Sequence, residues 1–221
     1  MTGKKLEGGW RRNIYYASHK MRDSSIYFDR VANDYEDMSK RGIMGWLKRK
    51  ERACILDFLK KVGSGRVILD AGCGNGYYSH LLSKRGWKVI GVDKSINMVK
   101  EAKKRGIDVV RGDIYNIAFK IKFDGLLCIG VSEFCEDFEI ALSNLMSHVR
   151  RGGWMILLLP RFNFWVIIYF LYHISHGILI RISKVSQLEK IIVSKGFEII
   201  CVKKPTPISQ VMLLRRTDDN A

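Results

Sequence analysis

The chain has 221 residues, a length that suits one well-packed domain with additions rather than two domains. Hydrophobic residues make up 47% and charged residues 27%, and there are only three prolines, so the composition excludes a long disordered linker. The net charge of +16 is spread along the chain. It favours polyanionic partners such as nucleic acid, an anionic membrane or acidic small molecules.

The five cysteines are scattered, with no CxxC pair and no metal-ligand spacing to histidine. This pattern favours a reduced, cytoplasmic setting and predicts no metal site. The first residues are polar and basic rather than apolar, so we expect no secretory signal.

The N-terminal part, residues 1–43, is polar, basic and aromatic without a sustained period, and we predict an N-terminal lid of short helices. Residues 44–62 then place apolar side chains at helical spacing and predict an amphipathic helix. Residues 44–221 are assigned to one domain, with an apolar insertion at residues 161–183.

Beyond this helix, apolar runs alternate with helical stretches, as in βαβ units. Strands are predicted at 67–71, 88–92, 108–111, 125–130 and 154–159, and helices at 78–85, 96–105 and 138–149. A helix at 186–195 and strands at 197–203 and 210–215, joined by a turn around Pro205 and Pro207, complete the pattern. The predicted fold is α/β: a Rossmann-like, doubly wound sheet of seven strands, mostly parallel with a C-terminal antiparallel hairpin.

A glycine-rich segment follows the first predicted strand. Residues 67–79 read VILDAGCGNGYYS, so Asp70 closes the strand and Gly72, Gly74 and Gly76 follow. Glycines permit a tight strand-to-helix turn and let a ligand approach the backbone. The dinucleotide fingerprint G-x-G-x-x-G fails, because residues 77 and 79 are not glycine.

An acid that closes a strand and is followed by alternate glycines resembles motif I of the class I S-adenosylmethionine (SAM) methyltransferases. The resemblance implies that this loop lies along the methionine part of SAM and that Asp70 binds near its amino group. Asp93, at the end of the second strand, would then bind the ribose diol, and Asp113 with Ile114 would contact the adenine. The predicted cofactor site also includes Cys73 and Lys94.

Upstream, residues 27–37 read YFDRVANDYED and are similar to the segment that folds over the cofactor in quinone C-methyltransferases and related small-molecule enzymes. Tyr35 either lines the cofactor pocket or packs on the core. The resemblance is nearest to methyltransferases of the quinone, lipid and tetrapyrrole type.

Methyl transfer from a sulfonium is an in-line displacement, so positioning and exclusion of water can supply much of the rate. Residues 128–134, CIGVSEF, lack the N/D-P-P-Y/F motif of many enzymes that methylate exocyclic or amide nitrogen. Glu133 is the candidate to orient or deprotonate the acceptor, and the alternative is a surface carboxylate at a helix start. His148 is expected to end a helix, where the dipole favours it.

The insertion has an uninterrupted apolar core that is too short for a spanning helix. Such an element must pack on the fold as a lid, lie against a hydrophobic substrate or dip into a membrane interface. Flanking Arg161 and Arg181, with interfacial aromatic residues between them, favour the last two places. His173 and His176 lack further ligands, so we expect no metal there.

The sequence thus predicts a SAM-dependent methyltransferase of a small hydrophobic acceptor, a lipid, quinone or tetrapyrrole, met at an anionic membrane surface. The expected location is the cytoplasm, with peripheral membrane association. An RNA methyltransferase is the alternative acceptor class, since basic charge also suits phosphate. A non-catalytic SAM-binding or membrane-associated partner protein is the alternative outside enzymes.

Overall fold

The computed structural model describes residues 23–38, 40–62 and 67–217. Most of the predicted lid, residues 1–22, therefore lies outside the described residues. The remainder of the lid contains two short helices, α1 (Ser24–Val31) and α2 (Tyr35–Met38), and a long helix, α3 (Gly42–Lys61), follows. The division into a lid of residues 1–43 and a domain of residues 44–221 stays a prediction.

The core of the molecule is a seven-stranded sheet in the order β3-β2-β1-β4-β5-β7-β6. Its strands are β1 (Val67–Ala71), β2 (Lys88–Asp93), β3 (Asp108–Arg111), β4 (Phe123–Ile129), β5 (Val149–Pro160), β6 (Phe197–Thr206) and β7 (Ser209–Arg216). The first five strands are parallel, and β7 pairs antiparallel with both β5 and β6. The predicted fold class is confirmed. Strand order reverses beside β1, which opens a crevice at the carboxyl ends of β1 and β4.

Helices cover both faces of the sheet because successive residues of a buried strand point to opposite sides. In β5, Leu157 packs in the cluster that contains Phe138 and Leu188, whereas Ile156 packs in the cluster that contains Phe58 of α3. The remaining helices are α4 (Tyr77–Ser83), α5 (Ile96–Lys104), a 3₁₀ helix (Ser132–Phe134), α6 (Phe138–Ser147), α7 (Phe164–Ser175) and α8 (Val185–Ser194).

Strand β5 begins at Val149, which the sequence assigned to the preceding helix. Val149 pairs with Phe123 and Trp154 pairs with Gly125, so the intervening residues form an irregularity in the register. Gly152, at φ +66°, lies inside it. The hydrophobic pattern predicted only the regular part of the strand, because alternation breaks where a strand bulges.

The C-terminal hairpin has a tighter turn than predicted. Pro205 lies within β6, and only two residues separate Thr206 from Ser209. A proline is tolerated there because β6 is an edge strand, where a missing N–H removes no ladder bond on the open side.

The insertion forms helix α7, and its two faces differ. Val166 and His173 are buried against the fold, whereas the opposite face exposes Phe164 (71%), Ile168 (53%) and Leu171 (59%). The insertion therefore packs on the fold by one face and leaves the other exposed, and the choice among the three predicted places stays open. In the described ranges, no helix is long and apolar enough to cross a membrane.

Candidate active site

A cavity of about 460 Å³ lies at the carboxyl ends of the central strands, beneath α1, α2 and α3. Its wall includes nine of the predicted site residues: Tyr35, Asp70, Gly72, Cys73, Gly74, Asp93, Lys94, Asp113 and Ile114. Two predicted residues, Gly76 and Glu133, are not in this wall. The fold therefore brings most of the predicted cofactor residues to one place.

The glycines of the loop between β1 and α4 have different roles. Gly72, at φ +69°, has no room for a side chain, because a Cβ would stand 2.4 Å from a methyl carbon of Val131. Gly74, at φ +54°, faces open space, with only the Met98 sulfur at 4.0 Å. Of the three glycines, Gly74 has the geometry expected for backbone that a ligand approaches.

Gly76 instead serves the packing of two helices. It caps α4 at φ +77°, and a Cβ there would stand 3.0 Å from the Ala102 Cβ of α5. The need for glycine at this position is thus explained by close helix packing rather than by an obstructed ligand.

Asp70 is a buried carboxylate at the tip of β1. The Ser79 hydroxyl donates to its Oδ2 at 2.6 Å. Burial raises the pKa of Asp70 to about 6, since desolvation outweighs the Ser79 hydrogen bond and the nearby Asp93 adds repulsion. Asp70 forms no ion pair with any described residue. Its ionised carboxylate is therefore available to pair with a cation bound in the cavity.

Asp93, at the tip of β2, ties the glycine loop to the sheet. Its Oδ2 accepts from the Gly74 N–H at 2.8 Å, and its Oδ1 accepts from the Ser95 N–H at 2.9 Å. Burial nevertheless raises the pKa of this carboxyl group. Each oxygen retains a lone pair, so the carboxylate can still accept from a diol in the cavity.

Asp113 and Ile114 form the outer part of the cavity beyond β3. Lys94 Nζ lies 3.4 Å from Asp113 Oδ2 and 3.6 Å from Asp23 Oδ1. Ile114 is buried and offers an apolar wall beside this polar group. Both residues that the sequence assigned to adenine thus line the cavity, and their role there stays a prediction.

The lid is fixed above the cavity by hydrogen bonds from α1. Asp29 Oδ1 accepts from the Ser95 hydroxyl at 2.5 Å and from the Asn97 N–H at 2.9 Å, at the N-terminus of α5. Phe28 packs edge-on against Phe134 and against Tyr35, with ring centroids 5.0 and 6.1 Å apart. Tyr35 thus both lines the cavity and packs on aromatic neighbours.

Two cations of α3, Lys48 and Arg52, also line the cavity, although the sequence interpretation did not select them. The Arg52 guanidinium lies 3.9 Å from the ring centroid of Tyr77, the first residue of α4. Tyr35 and the carboxylate of Glu51 raise the pKa of Lys48, so its ammonium stays charged. Lys48 and Arg52 are four residues apart, so they lie on one face of the helix. The sequence did not single them out because this helix contains many other charged residues.

Glu133 is buried in the 3₁₀ helix rather than exposed at the mouth of the cavity. Its Oε1 accepts from the Tyr169 hydroxyl at 3.0 Å, and its Oε2 accepts from Ser132 at 3.1 Å. Burial raises its pKa. Glu133 lines a smaller cavity of about 30 Å³, which Lys48 separates from the large one. The interpretation as a surface carboxylate is wrong, because Tyr169 of α7 covers it.

Two histidines, His148 and His173, are packed within the fold. His148 caps α6, and its Nε2 accepts from the Phe119 N–H at 3.3 Å while Nδ1 donates to the Asn144 carbonyl at 2.9 Å. The ring centroids of His173 and Tyr169 are 4.4 Å apart, and burial lowers the pKa of His173 to about 4.

Within the described ranges, no three His, Cys, Asp or Glu side chains are grouped to hold a metal ion.

Comparisons with known proteins agree with this geometry. Residues 69–157 match the family model described as a methyltransferase domain. The chain is 26% identical over 145 residues to the malonyl-[acyl-carrier protein] O-methyltransferase of Hamiltonella defensa, covering 64% of this chain and 54% of that protein. It is 33% identical over 104 residues to a tRNA (carboxymethyluridine(34)-5-O)-methyltransferase of Arabidopsis thaliana, covering 45% of this chain and 25% of that protein.

Among solved structures, the magnesium protoporphyrin IX methyltransferase of Synechocystis PCC 6803 with bound SAH superposes with a TM-score of 0.69. The two share 20% identity, over 87% of this chain and 98% of that chain. The fold is therefore that of the class I methyltransferases, and residues 69–157 carry the match to the methyltransferase-domain model. The chain spans about half the length of the first curated relative.

Proposed function

We propose that this chain, whose central part is a class I SAM-dependent methyltransferase domain, transfers a methyl group from SAM to a small hydrophobic acceptor at an anionic membrane surface. The observation that carries the transferase assignment is the juxtaposition of the exposed Gly74 backbone with two buried carboxylates, Asp70 and Asp93, in one cavity. Neither carboxylate has an ion-pair partner among the described residues.

The residues present fit SAM in charge and in shape. When bound, SAM supplies an electrophilic methyl group on a permanently positive sulfur. Asp70 supplies negative charge for the cationic methionine end, and the open backbone at Gly74 permits close approach. Asp93 accepts from the ribose hydroxyls, and Asp113 with Ile114 binds the adenine. Arg52, at the other end of the cavity, provides the cation for the methionine carboxylate.

The hydrophobic nature of the acceptor is supported by the apolar part of the large cavity wall. Beside Lys48, this wall contains Phe28, Val131 and Phe134. An acceptor held next to the cofactor thus meets apolar side chains.

The membrane surface is supported by the outer face of α7. Residues 162–180 contain no Asp, Glu, Lys or Arg, and Phe162, Phe164 and Leu171 are largely exposed. Arg161 and Arg181 flank this segment in a chain of net charge +16. An exposed apolar helix face bordered by cations suits the interface of an anionic bilayer, where apolar side chains enter the acyl region and cations meet lipid headgroups.

RNA is the alternative acceptor, since basic charge attracts phosphate and one matched relative is named as a tRNA methyltransferase. Against RNA, the largest insertion presents an apolar rather than a basic face. A non-catalytic SAM-binding protein is disfavoured, because the acids and glycines of the cofactor site are all present.

Cofactor binding is tested by calorimetry with SAM on the wild type and the Asp93→Asn variant. We expect the variant to bind about tenfold or more weakly, because an amide cannot accept from both ribose hydroxyls. The control is Asp108→Asn, which removes an exposed charge at the far end of β3. Equal affinity in all three proteins would remove Asp93 from the cofactor site, and no binding by the wild type would remove the proposed function.

Membrane binding is tested by sedimentation with phosphatidylglycerol vesicles at high salt, which weakens purely electrostatic attachment. We expect Leu171→Glu to release the protein. Ile140→Glu is a matched control, because Ile140 on α6 is 59% exposed, as is Leu171. Equal retention of both variants would show that α7 does not enter the bilayer.

The acceptor class is tested with methyl-labelled SAM and fractionated cell extract. We expect label in the organic phase. Label only in nucleic acid would instead establish the RNA alternative.

A further inference from the structure

We propose that Lys48 binds an anionic oxygen of the acceptor, so that the acceptor is an amphiphile with an acidic head, such as a carboxylate, on an apolar body. This inference rests on the proposed function and narrows its substrate class. Lys48 is a charged group in the cavity wall that has no hydrogen-bond or ion-pair partner among the described residues.

The Lys48 ammonium carries three N–H donors, and none has an acceptor within hydrogen-bonding distance in the described part of the chain. No carboxylate of that part lies within 4.0 Å of it either. Its Nζ and Glu133 Oε1 each lie 3.9 Å from the point where a Cβ on Gly130 would stand. An oxygen atom in the cavity beside Gly130 could therefore accept from Lys48 without displacing a protein group.

The surroundings keep this lysine protonated. Burial alone would lower its pKa, but Tyr35, Glu51, Tyr78 and Glu133 together raise it. Glu51 and Glu133 are buried and close enough to favour the charge, yet too far away to satisfy its donors. The result is a fixed cation that can bind an anion with little loss of solvation.

The position of Lys48 assigns it to the acceptor rather than to the cofactor. Asp93 and Asp113 lie at the tips of β2 and β3, on one side of β1, whereas Lys48 is next to Gly130, beyond the end of β4 on the other side. Arg52 stacks on Tyr77 directly after the glycine loop and can serve the carboxylate of the cofactor. Lys94 pairs with Asp23 and Asp113, so among the described cations of the cavity wall Lys48 remains for the second substrate.

The apolar part of such an acceptor fits the large cavity rather than the smaller one. The smaller cavity behind Lys48 has a volume of about 30 Å³, room for about one water molecule, and Glu51 and Glu133 lie in its wall. The large cavity has Val131 and Phe134 in its wall, so an oxyanion at Lys48 leaves the attached hydrocarbon among these apolar side chains.

The test uses decanoate and 1-decanol as probes, titrated by calorimetry into protein saturated with S-adenosylhomocysteine at pH 8. We expect the wild type to bind decanoate at least about tenfold more tightly than decanol, since a charge-assisted hydrogen bond contributes that much. Lys48→Met should abolish this preference, and Lys48→Arg should retain most of it. Lys50→Met, which removes an exposed cation from the same helix, should leave it unchanged.

Separate titration with S-adenosylhomocysteine distinguishes this inference from the proposed function. If the wild type binds that compound but shows no preference for decanoate, or if Lys48→Met keeps the preference, the assignment of Lys48 is wrong while the transferase survives. If Lys48→Met loses binding of S-adenosylhomocysteine itself, Lys48 serves the cofactor and the inference fails. If the wild type does not bind that compound, the proposed function fails.

Discussion

The protonation of Asp70 should control the affinity for SAM across a narrow range of pH. In the proposed site, the positively charged methionine end of SAM binds the ionised carboxylate of Asp70, whose pKa in the ligand-free protein is about 6. Apparent affinity scales with the fraction of binding-competent protein, so it should be complete near pH 8 and fall by about tenfold at pH 5. The loss occurs as pH falls through 6, because the raised pKa leaves Asp70 protonated below that value.

The same shift gives a second observable, the stability of the ligand-free protein. An aspartate whose pKa rises from 3.8 to about 6 on folding destabilises the folded state as pH increases through this interval, by up to about 3 kcal/mol. Asp70→Asn removes the buried charge. We therefore expect this variant to have a higher free energy of unfolding at pH 7 and a lower affinity for SAM.

Calorimetry with SAM between pH 5 and pH 8 and urea unfolding of the ligand-free protein provide the two measurements. Asp108→Asn again serves as the control, because Asp108 is exposed and remote from the cavity. The reasoning is refuted if wild-type affinity is flat over this range, or if Asp70→Asn shows the same decline as the wild type.

Two further predictions concern stability. His173 is neutral when buried, with a pKa of about 4 against an ordinary value of 6.5. Its contribution to the free energy of unfolding is therefore present above pH 6.5 and is lost, by about 3 kcal/mol, as the pH falls to 4. His173→Phe should remove that part of the acid sensitivity in urea unfolding, and an unchanged decline would contradict the assignment. Gly72→Ala should lower the free energy of unfolding by at least about 1 kcal/mol more than Gly106→Ala, since both have positive φ but only the first meets Val131. Equal losses would show that the loop relaxes around the methyl group.

The sheet and the grouping of the strand-tip residues in one cavity could be predicted from the sequence because both depend on local signals. A buried strand, an acid at its tip and a glycine turn are contiguous, as in Asp70 and the loop after it. Parallel strands then bring separate tips such as Asp93 and Asp113 to one edge without further information. Their meeting follows from topology, which the alternation of strands and helices specifies.

The surroundings of Lys48 and Glu133 could not be predicted in the same way, because they depend on packing between distant segments. Glu133 is buried only because Tyr169, from an insertion later in the chain, lies over it. Lys48 reaches the cavity because α3 packs across the strand ends, and in sequence it is one of several cations in an amphipathic helix. The sequence also did not show that α7 buries one face and exposes the other, because its residues are apolar on every side.

The inferred acceptor chemistry changes the role to be expected of Glu133. Removing a proton from the acceptor would require a base, and Glu133, with its raised pKa, was the candidate. Yet Glu133 does not line the cofactor cavity, and both of its oxygens already accept hydrogen bonds, from Tyr169 and Ser132. An acceptor that arrives as an anion has no proton to lose before it attacks. Glu133 is then best understood as a positioning residue that keeps Lys48 charged and, through Tyr169, joins the cavity wall to the helix with the exposed apolar face.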